Sequence, residues 1–482
     1  MTADPNPSAF SARLQAQIAA LERGLLERGT ATRLMLLAAL AGEHVLLIGP
    51  PGTAKSELAR RLHGVMAVGR YFERLLTRFS TPEELFGPLS LKALEDDRYE
   101  RLIDGYLPTA GVAFLDEVFK ANSAILNALL TLLNEREFDN GQQRLRVPLV
   151  SVVGATNEVP TEEALLAFHD RFLLRVPVEP VSDTSFAALL RLEAGDRASD
   201  AGLRPWQPEE LDALRAARER IALGDDALAH LAALRPRLRD WDIAVSDRRW
   251  RQVAGLLRSA ALTEGRQQVD ALDLWLLPHV LAHQPDQVAP LAQWFLSEVV
   301  QAAPQPPVWL DRAVEAFDQQ LGLERSAEAE DVLDAGAGKL ALAKAIGGQT
   351  SHDGMLRIVN AALEAHQRRR YSRVHIDARV AQVDELIERI DGHLVALRAD
   401  LAALQDRLQG RLWWPPELLD RVLGERGRTV ASLAHLMDRL QGLRAGYADL
   451  PLDLQMDHQM DAQIEQPEPV TWDAADRPAR QA

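Results

Sequence analysis

Residues 47–59 read LIGPPGTAKSELA. Gly49, Lys55 and Ser56 fall at the spacing of a phosphate-binding loop, G-x-x-x-x-G-K-[ST], with Ala54 where the second glycine belongs. Such a loop must hold two or three charged phosphates against one stretch of backbone. N–H groups at a helix N-terminus face the anion, and the helix dipole favours it. Lys55 would bridge the terminal phosphates, and the Ser56 hydroxyl would ligate Mg²⁺. Pro50 and Pro51 stiffen the loop, and Gly52 permits a positive φ or a close approach. Ala54 is expected to lie already in the first helical turn, with φ < 0, where alanine is comfortable. The candidate nucleotide-binding residues are thus Gly49, Pro50, Pro51, Gly52, Thr53, Ala54, Lys55, Ser56 and Glu57, with ATP as ligand.

Other residues fit the same chemistry in the same order. VAFLDE (112–117) is an apolar run ending in two acids. Asp116 at a strand's carboxyl end can hold Mg²⁺ through water, and Glu117 can polarise an attacking water. Ser56 and Asp116 are the expected metal-site residues. LVSVVGATN (149–157) ends in Asn157, placed to hydrogen-bond the attacking water or the γ-phosphate; alone, such an Asn is a turn former. Arg171 in HDRFLL is a candidate finger that supplies charge to a transition state in a neighbouring subunit; the plainer alternative is an ion pair with Asp170. Arg248 in VSDRRW opens a helix and could reach the same nucleotide from a helical lid. Arg249 is the register alternative, and a helix-capping arginine is the structural one.

Positioning these groups requires alternating elements. HVLLIG (44–49) is a short continuous apolar run, as a buried parallel strand requires. After it, Leu58, Leu62, Val65 and Met66 recur at helical spacing. VAFLDE, LVSVVGATN and FLLRVPV supply three more strands. The apolar helix NSAILNALLTLLNERE lies among them, with Asn122 or Ser123 as its cap. This alternation predicts an α/β fold with a parallel sheet between helical layers. It spans residues 1–182, opening with two helices within 10–41. Ser80-x-x-Glu83 reads as a capping box, and LSLKALEDDRYERLI as a hairpin insert, about 85–111, turning at Glu95–Asp97.

Residues 183–303 read as a helical lid without strands, and PQPPV (304–308) as a linker. Residues 309–445 read as an all-α domain. Ile376, Val380, Val383, Ile387, Ile390, Leu394, Leu397, Leu401, Leu404 and Leu408 step by four and three, a heptad seam on one helix of ~50 Å. It can pair within the chain or between chains; RLWWPPELL, a bend into a second apolar helix, favours an intramolecular hairpin. The tail, 446–482, carries eight acids and two arginines after Gly446 and reads as disordered.

Composition limits the alternatives. The chain has 482 residues, no cysteine and a net charge of −16. No disulfide or thiolate metal site is possible. The acidic balance argues against nucleic-acid binding and DNA translocation. The histidines show no zinc-ligand spacing. GAGK (336–339) reads as a loop and RRRY (368–371) as a solvated helix end. No apolar run reaches the ~20 residues of a membrane span, so a soluble, cytoplasmic protein is expected.

In this order, GPPGTAKS, FLDE, GATN, DRF and SDR resemble the MoxR family of AAA+ ATPases. TRFSTPEELFGPLS, GYLPTAGVAFLDE, ILNALLTLLNER and VSDRRW resemble its RavA group. The resemblance is dense over residues 10–260 and reaches the C-terminal helices through RLWWPPELL. It implies Walker A and B roles for Lys55, Ser56, Asp116 and Glu117, sensor 1 for Asn157, a trans finger for Arg171 and sensor 2 for Arg248. It implies a hexameric ring, an insert facing the pore, remodelling of protein substrates and a von Willebrand factor A (VWA) partner of the ViaA type. RavA proteins carry a β-rich insertion that binds a lysine decarboxylase; the helical reading of 310–445 leaves no place for it, so decarboxylase binding is not expected.

Overall fold

The computed structural model describes residues 7–160, 162–192, 203–301, 309–327, 369–453 and 467–471. The linker at 304–308, GAGK and most of the acidic tail lie outside these residues. The described residues form two compact units. The first comprises Met1–Ala302 with Leu408–Val422, and the second Ala303–Arg407 with Leu423–Ala482.

The first unit opens with α1 (Pro7–Glu22) and α2 (Gly29–Ala41). Five parallel strands follow: β1 (Val45–Ile48), β2 (Arg70–Leu75), β3 (Ala110–Asp116), β6 (Ser151–Thr156) and β7 (Leu174–Pro177). Their order across the sheet is β2-β3-β6-β1-β7. The central strands β1, β3 and β6 are buried almost end to end, as the apolar runs require. Helices α3 (Lys55–Gly64), α6 (Ser123–Glu135) and α7 (Glu163–His169) are interleaved with the strands. This is the expected α/β architecture. Strand β2, RYFERL, is absent from the expected strands because an edge strand with polar side chains on both faces carries no continuous apolar run.

The insert differs from its expected form. It is not a two-stranded hairpin. Its ends close by one antiparallel bridge, Leu89 with Arg101, and its tip is a turn of helix, α5 (Leu91–Glu95). Ser90 explains this, since its hydroxyl caps the Ala93 N–H at 3.2 Å, and KALE favours helix. The turn at 95–97 remains, with Asp97 at φ 57°. The expected capping box at Ser80 is also corrected: α4 (Pro82–Phe86) begins after Thr81, and Ser80 Oγ accepts from the Thr77 N–H at 3.1 Å.

A hairpin does form further on, between β4 (Glu137–Asn140) and β5 (Gln143–Arg146). Its signal was an Asn140-Gly141 pair between extended runs. It grips the insert: Arg101 N–H donates to Asn140 Oδ1 at 2.7 Å, and Asn140 Nδ2 to Arg101 O at 3.2 Å. Gly141, at φ 65°, lies so close that a Cβ would stand 2.5 Å from Tyr99 O.

The lid consists of α8 (Asp183–Leu190), α9 (Pro208–Arg218), α10 (Asp225–Asp240), α11 (Asp247–Thr263), α12 (Leu277–Leu281) and α13 (Val288–Trp294). It is not strand-free: Ala222–Leu223 pairs with Gln268–Val269. Buried arginines tie it to the sheet. Arg249, 1% exposed, donates to Val280 O at 2.6 Å, to Leu173 O at 2.8 Å and to Asp170 Oδ1 at 2.9 Å.

The second unit is built on α14 (Trp309–Ser326), α15 (Arg373–Leu408) and α16 (Pro416–Ala448). The seam residues Ile376, Val383, Ile390, Leu394 and Leu397 share a core with Leu433, Leu436 and Leu440 of α16 and with Leu310 and Phe317 of α14. The heptad pattern is satisfied inside the chain. The described parts of the tail are ordered, contrary to the expectation. Leu452 bridges to Tyr371, and Arg379 holds Glu468 O at 2.7 Å.

Candidate functional site

The phosphate loop connects β1 to α3. Gly49 N–H donates to Thr156 O at 3.0 Å, so the loop leaves the sheet beside β6. A Cβ on Gly49 would lie 2.1 Å from Val178 O, which leaves glycine alone at that position. Gly52, at φ 83°, has open space around it. Ala54 departs from the expectation: it precedes the helix and has φ 66° and ψ 23°, the left-handed region. The loop keeps its glycine-type geometry, and alanine, with the smallest side chain, adopts it at a cost of roughly 1 kcal/mol.

Lys55 is buried, and its Nζ donates to Gly49 O and Pro50 O, each at 2.7 Å. Burial lowers its pKa, and the carboxylates of Asp116 and Glu117 pull it back up. Asp116 ends β3 and Glu117 follows it in a left-handed conformation, φ 50° and ψ 46°. Asn157 Nδ2 donates to Glu117 Oε1 at 2.8 Å, and Lys120 Nζ lies 3.2 Å from Glu117 Oε2. Lys55, Asp116, Glu117 and Asn157 thus gather at the C-terminal ends of β1, β3 and β6. Glu57 points away from this chemistry: its carboxylate, held low chiefly by the Arg61 hydrogen bond, pairs with Arg61 and Arg60, each at 2.9 Å.

The donor set fits Mg²⁺ and a nucleotide. The first N–H groups of α3 have no helical partners, an ammonium is held in the loop, and a hydroxyl and a carboxylate are the hard oxygen donors that such a cation takes. Sequence reasoning missed Arg28, which braces the loop. It is 6% exposed and donates to Thr53 O at 3.1 Å and to Glu179 O at 2.8 Å. Beside it opens a cavity of about 580 Å³, walled by Val178 and Pro180 and by the lid residues Trp275, Pro278 and His279.

Arg171 and Arg248 lie elsewhere. Leu174 pairs with Val45 at the N-terminal ends of β7 and β1, and Arg171 precedes that point. Asp170 is not its partner, because Arg249 and Arg175 take that carboxylate. Arg171 is half-buried, with Nε and Nη1 buried and unpaired among the described residues. Arg248 is exposed and donates to Asn134 Oδ1 at 3.3 Å. Asn134 closes α6, where Leu133 O meets the ring of His44, the residue before β1. Both arginines therefore occupy the edge opposite the phosphate loop, separated from it by about 13 Å of strand. The expectation that Arg248 reaches its own chain's nucleotide is corrected. Arg249 is consumed in joining lid to sheet.

A family model described as the MoxR domain in the MoxR-vWA-beta-propeller ternary systems matches residues 12–214. A model for an AAA lid domain matches residues 226–295. Two uncharacterised proteins of Methanocaldococcus jannaschii are 41% and 42% identical, over 55% and 54% of this chain and 68% and 69% of their own lengths. Protein MoxR of Paracoccus denitrificans is 31% identical over 36% of this chain and 53% of its own.

The chain belongs to the MoxR family of AAA+ ATPases.

In fold it is similar to a Cytophaga hutchinsonii protein of known structure, provisionally described as an ATPase. The TM-score is 0.50 at 16% identity, covering 61% of this chain and 96% of that one. Among the described residues no helix is long and apolar enough to cross a membrane.

Proposed function

We propose that this MoxR-family protein hydrolyses ATP with Mg²⁺ at sites shared between subunits of a closed ring, a hexamer by resemblance. The placement of the arginines carries the reading. Lys55, Asp116, Glu117 and Asn157 gather at one end of the sheet, while Arg171 and Arg248 stand at the other. Head-to-tail packing, which closes into rings, would bring one chain's arginines to the next chain's phosphates. Arg171, whose Nε and Nη1 have no partner among the described residues, would turn outward to meet charge developing on the neighbour's phosphoryl oxygens.

Ser56 and Asp116 would hold the Mg²⁺, which neutralises phosphate charge. Lys55 would bridge the terminal phosphates, Glu117 would take a proton from the attacking water, and Asn157 would orient it. The adenine base would enter the cavity beside Arg28, whose apolar walls suit a purine face. Turnover would move the insert and remodel a protein partner. The match to a MoxR domain of vWA-containing systems supports a VWA-domain partner. RavA-type organisation without decarboxylase binding, and a cytoplasmic location, belong to this reading.

Glu117→Gln decides the chemistry. The variant should bind ATP with near-normal affinity and turn over at least a hundredfold more slowly, measured by phosphate release. Normal turnover would refute the assignment. One observation favours a second reading, a nucleotide-gated scaffold with little turnover: the Glu117 carboxylate is already engaged by Asn157 and Lys120. ATPase rates with and without the partner separate the two.

A further inference from the structure

The bend between α15 and α16 is anchored within the first unit. Trp413 is 1% exposed; its Nε1 donates to Thr263 Oγ1 at 2.9 Å and its N–H to Glu264 Oε1 at 3.3 Å. Arg411 pairs with Asp273 at 3.0 Å and also with Asp270. Arg33 donates to Leu412 O at 3.1 Å. Trp414 packs on Phe295, with ring centroids 5.8 Å apart. Buried rings and satisfied charges make this a fixed attachment rather than a loose crossing.

Immediately beyond it, Glu417, Leu418 and Arg421 line the cavity beside Arg28. Arg28 connects that cavity to the phosphate loop through Thr53 O. Phosphates held at the loop would therefore direct the base toward these side chains. His279 lies in the same wall. Burial lowers its pKa to about 4, so the ring is neutral, and Nδ1 is buried and unpartnered among the described residues. That nitrogen is a polar group waiting for a ligand's edge.

We propose that the first two turns of α16 are part of the nucleotide site, with Leu418 and Arg421 closing the base end of the cavity against a bound adenine nucleotide. This rests on the ATP reading above and adds a substrate-contacting wall from the C-terminal bend. Base binding and the position of α16 are then linked, and by reciprocity whatever moves α16 changes nucleotide affinity.

The test uses the full chain with Mg²⁺ and ADP. ADP should slow amide exchange across residues 417–422 at least tenfold. Leu418→Trp, which intrudes on the base end of the cavity, should raise the ADP Kd tenfold or more while leaving the unfolding midpoint of the nucleotide-free protein unchanged. Lys55→Ala should lose ADP binding and protection together. Tight ADP binding by the unaltered chain with no protection at 417–422 overturns the proposal. So does wild-type affinity in a folded Leu418→Trp variant. If that variant does not fold, the exchange measurement decides alone. Failure of the unaltered chain to bind ADP at all would instead overturn the nucleotide reading, and this proposal with it.

Discussion

Ala54 shows how a single residue can satisfy a backbone demand imperfectly. The loop requires a left-handed residue before Lys55, and alanine supplies it at φ 66°. Glycine would remove a strain of roughly 1 kcal/mol but return about 0.5–1 kcal/mol through a freer unfolded chain. Ala54→Gly should therefore bind ATP normally and melt at the same temperature or about a degree higher. Ala54→Val, β-branched and poorly suited to positive φ, should melt lower. A clear loss of stability in the glycine variant would contradict the conformation described. The same residue marks a limit of sequence reading. That Lys55, Asp116, Glu117 and Asn157 would share one end of the sheet could be read from their order along the strands, because a parallel sheet brings its strands' C-terminal ends together. The φ of Ala54 could not, because alanine is equally at home in a helical turn and says nothing against one.

Elements carry a second set of constraints. Arg249 joins α11 to the turn before β7 and to the carbonyl of Val280. Removing it leaves buried acceptors unsatisfied. Arg249→Ala should cost about 3 kcal/mol, read from urea unfolding, whereas Arg248→Ala, at an exposed position, should cost little. Equal effects would refute the division of labour between them. The sequence does not distinguish these neighbours, because one residue of register separates a buried, sheet-facing side chain from a solvent-facing one. Strands β1, β3 and β6 were readable as buried runs. Strand β2, at the sheet edge, was not, and the Asn140-Gly141 hairpin was overlooked although its turn signal is strong. The helical tip of the insert was misread as strand because five residues are too few to show a period.

At the scale of the molecule, the separation of the two arginines from the phosphate loop predicts how variants combine. Arg171→Ala and Arg248→Ala should each bind ATP and lose most turnover. Mixing either with a Lys55→Ala chain should restore part of the activity, since some junctions then join an intact loop to intact arginines. Phosphate release measured across mixing ratios should peak at intermediate ratios; a strictly flat response would refute shared sites. The net charge of −16 has no bearing on this test, because it depends on two arginines at one edge of the sheet.

The clamp between the insert and the β4–β5 hairpin has a mechanical consequence. Asn140 and Gly141 hold the backbone at Tyr99 and Arg101 too closely for the two loops to slide past each other. At the other side, Asn122, the cap of α6, holds Ser80 O at 2.7 Å, and only a short turn separates Asn122 from Glu117. The insert tip, with Leu91 and Leu94 exposed, is thus held at its base by the hairpin that follows α6, while the cap of α6 holds the loop before α4.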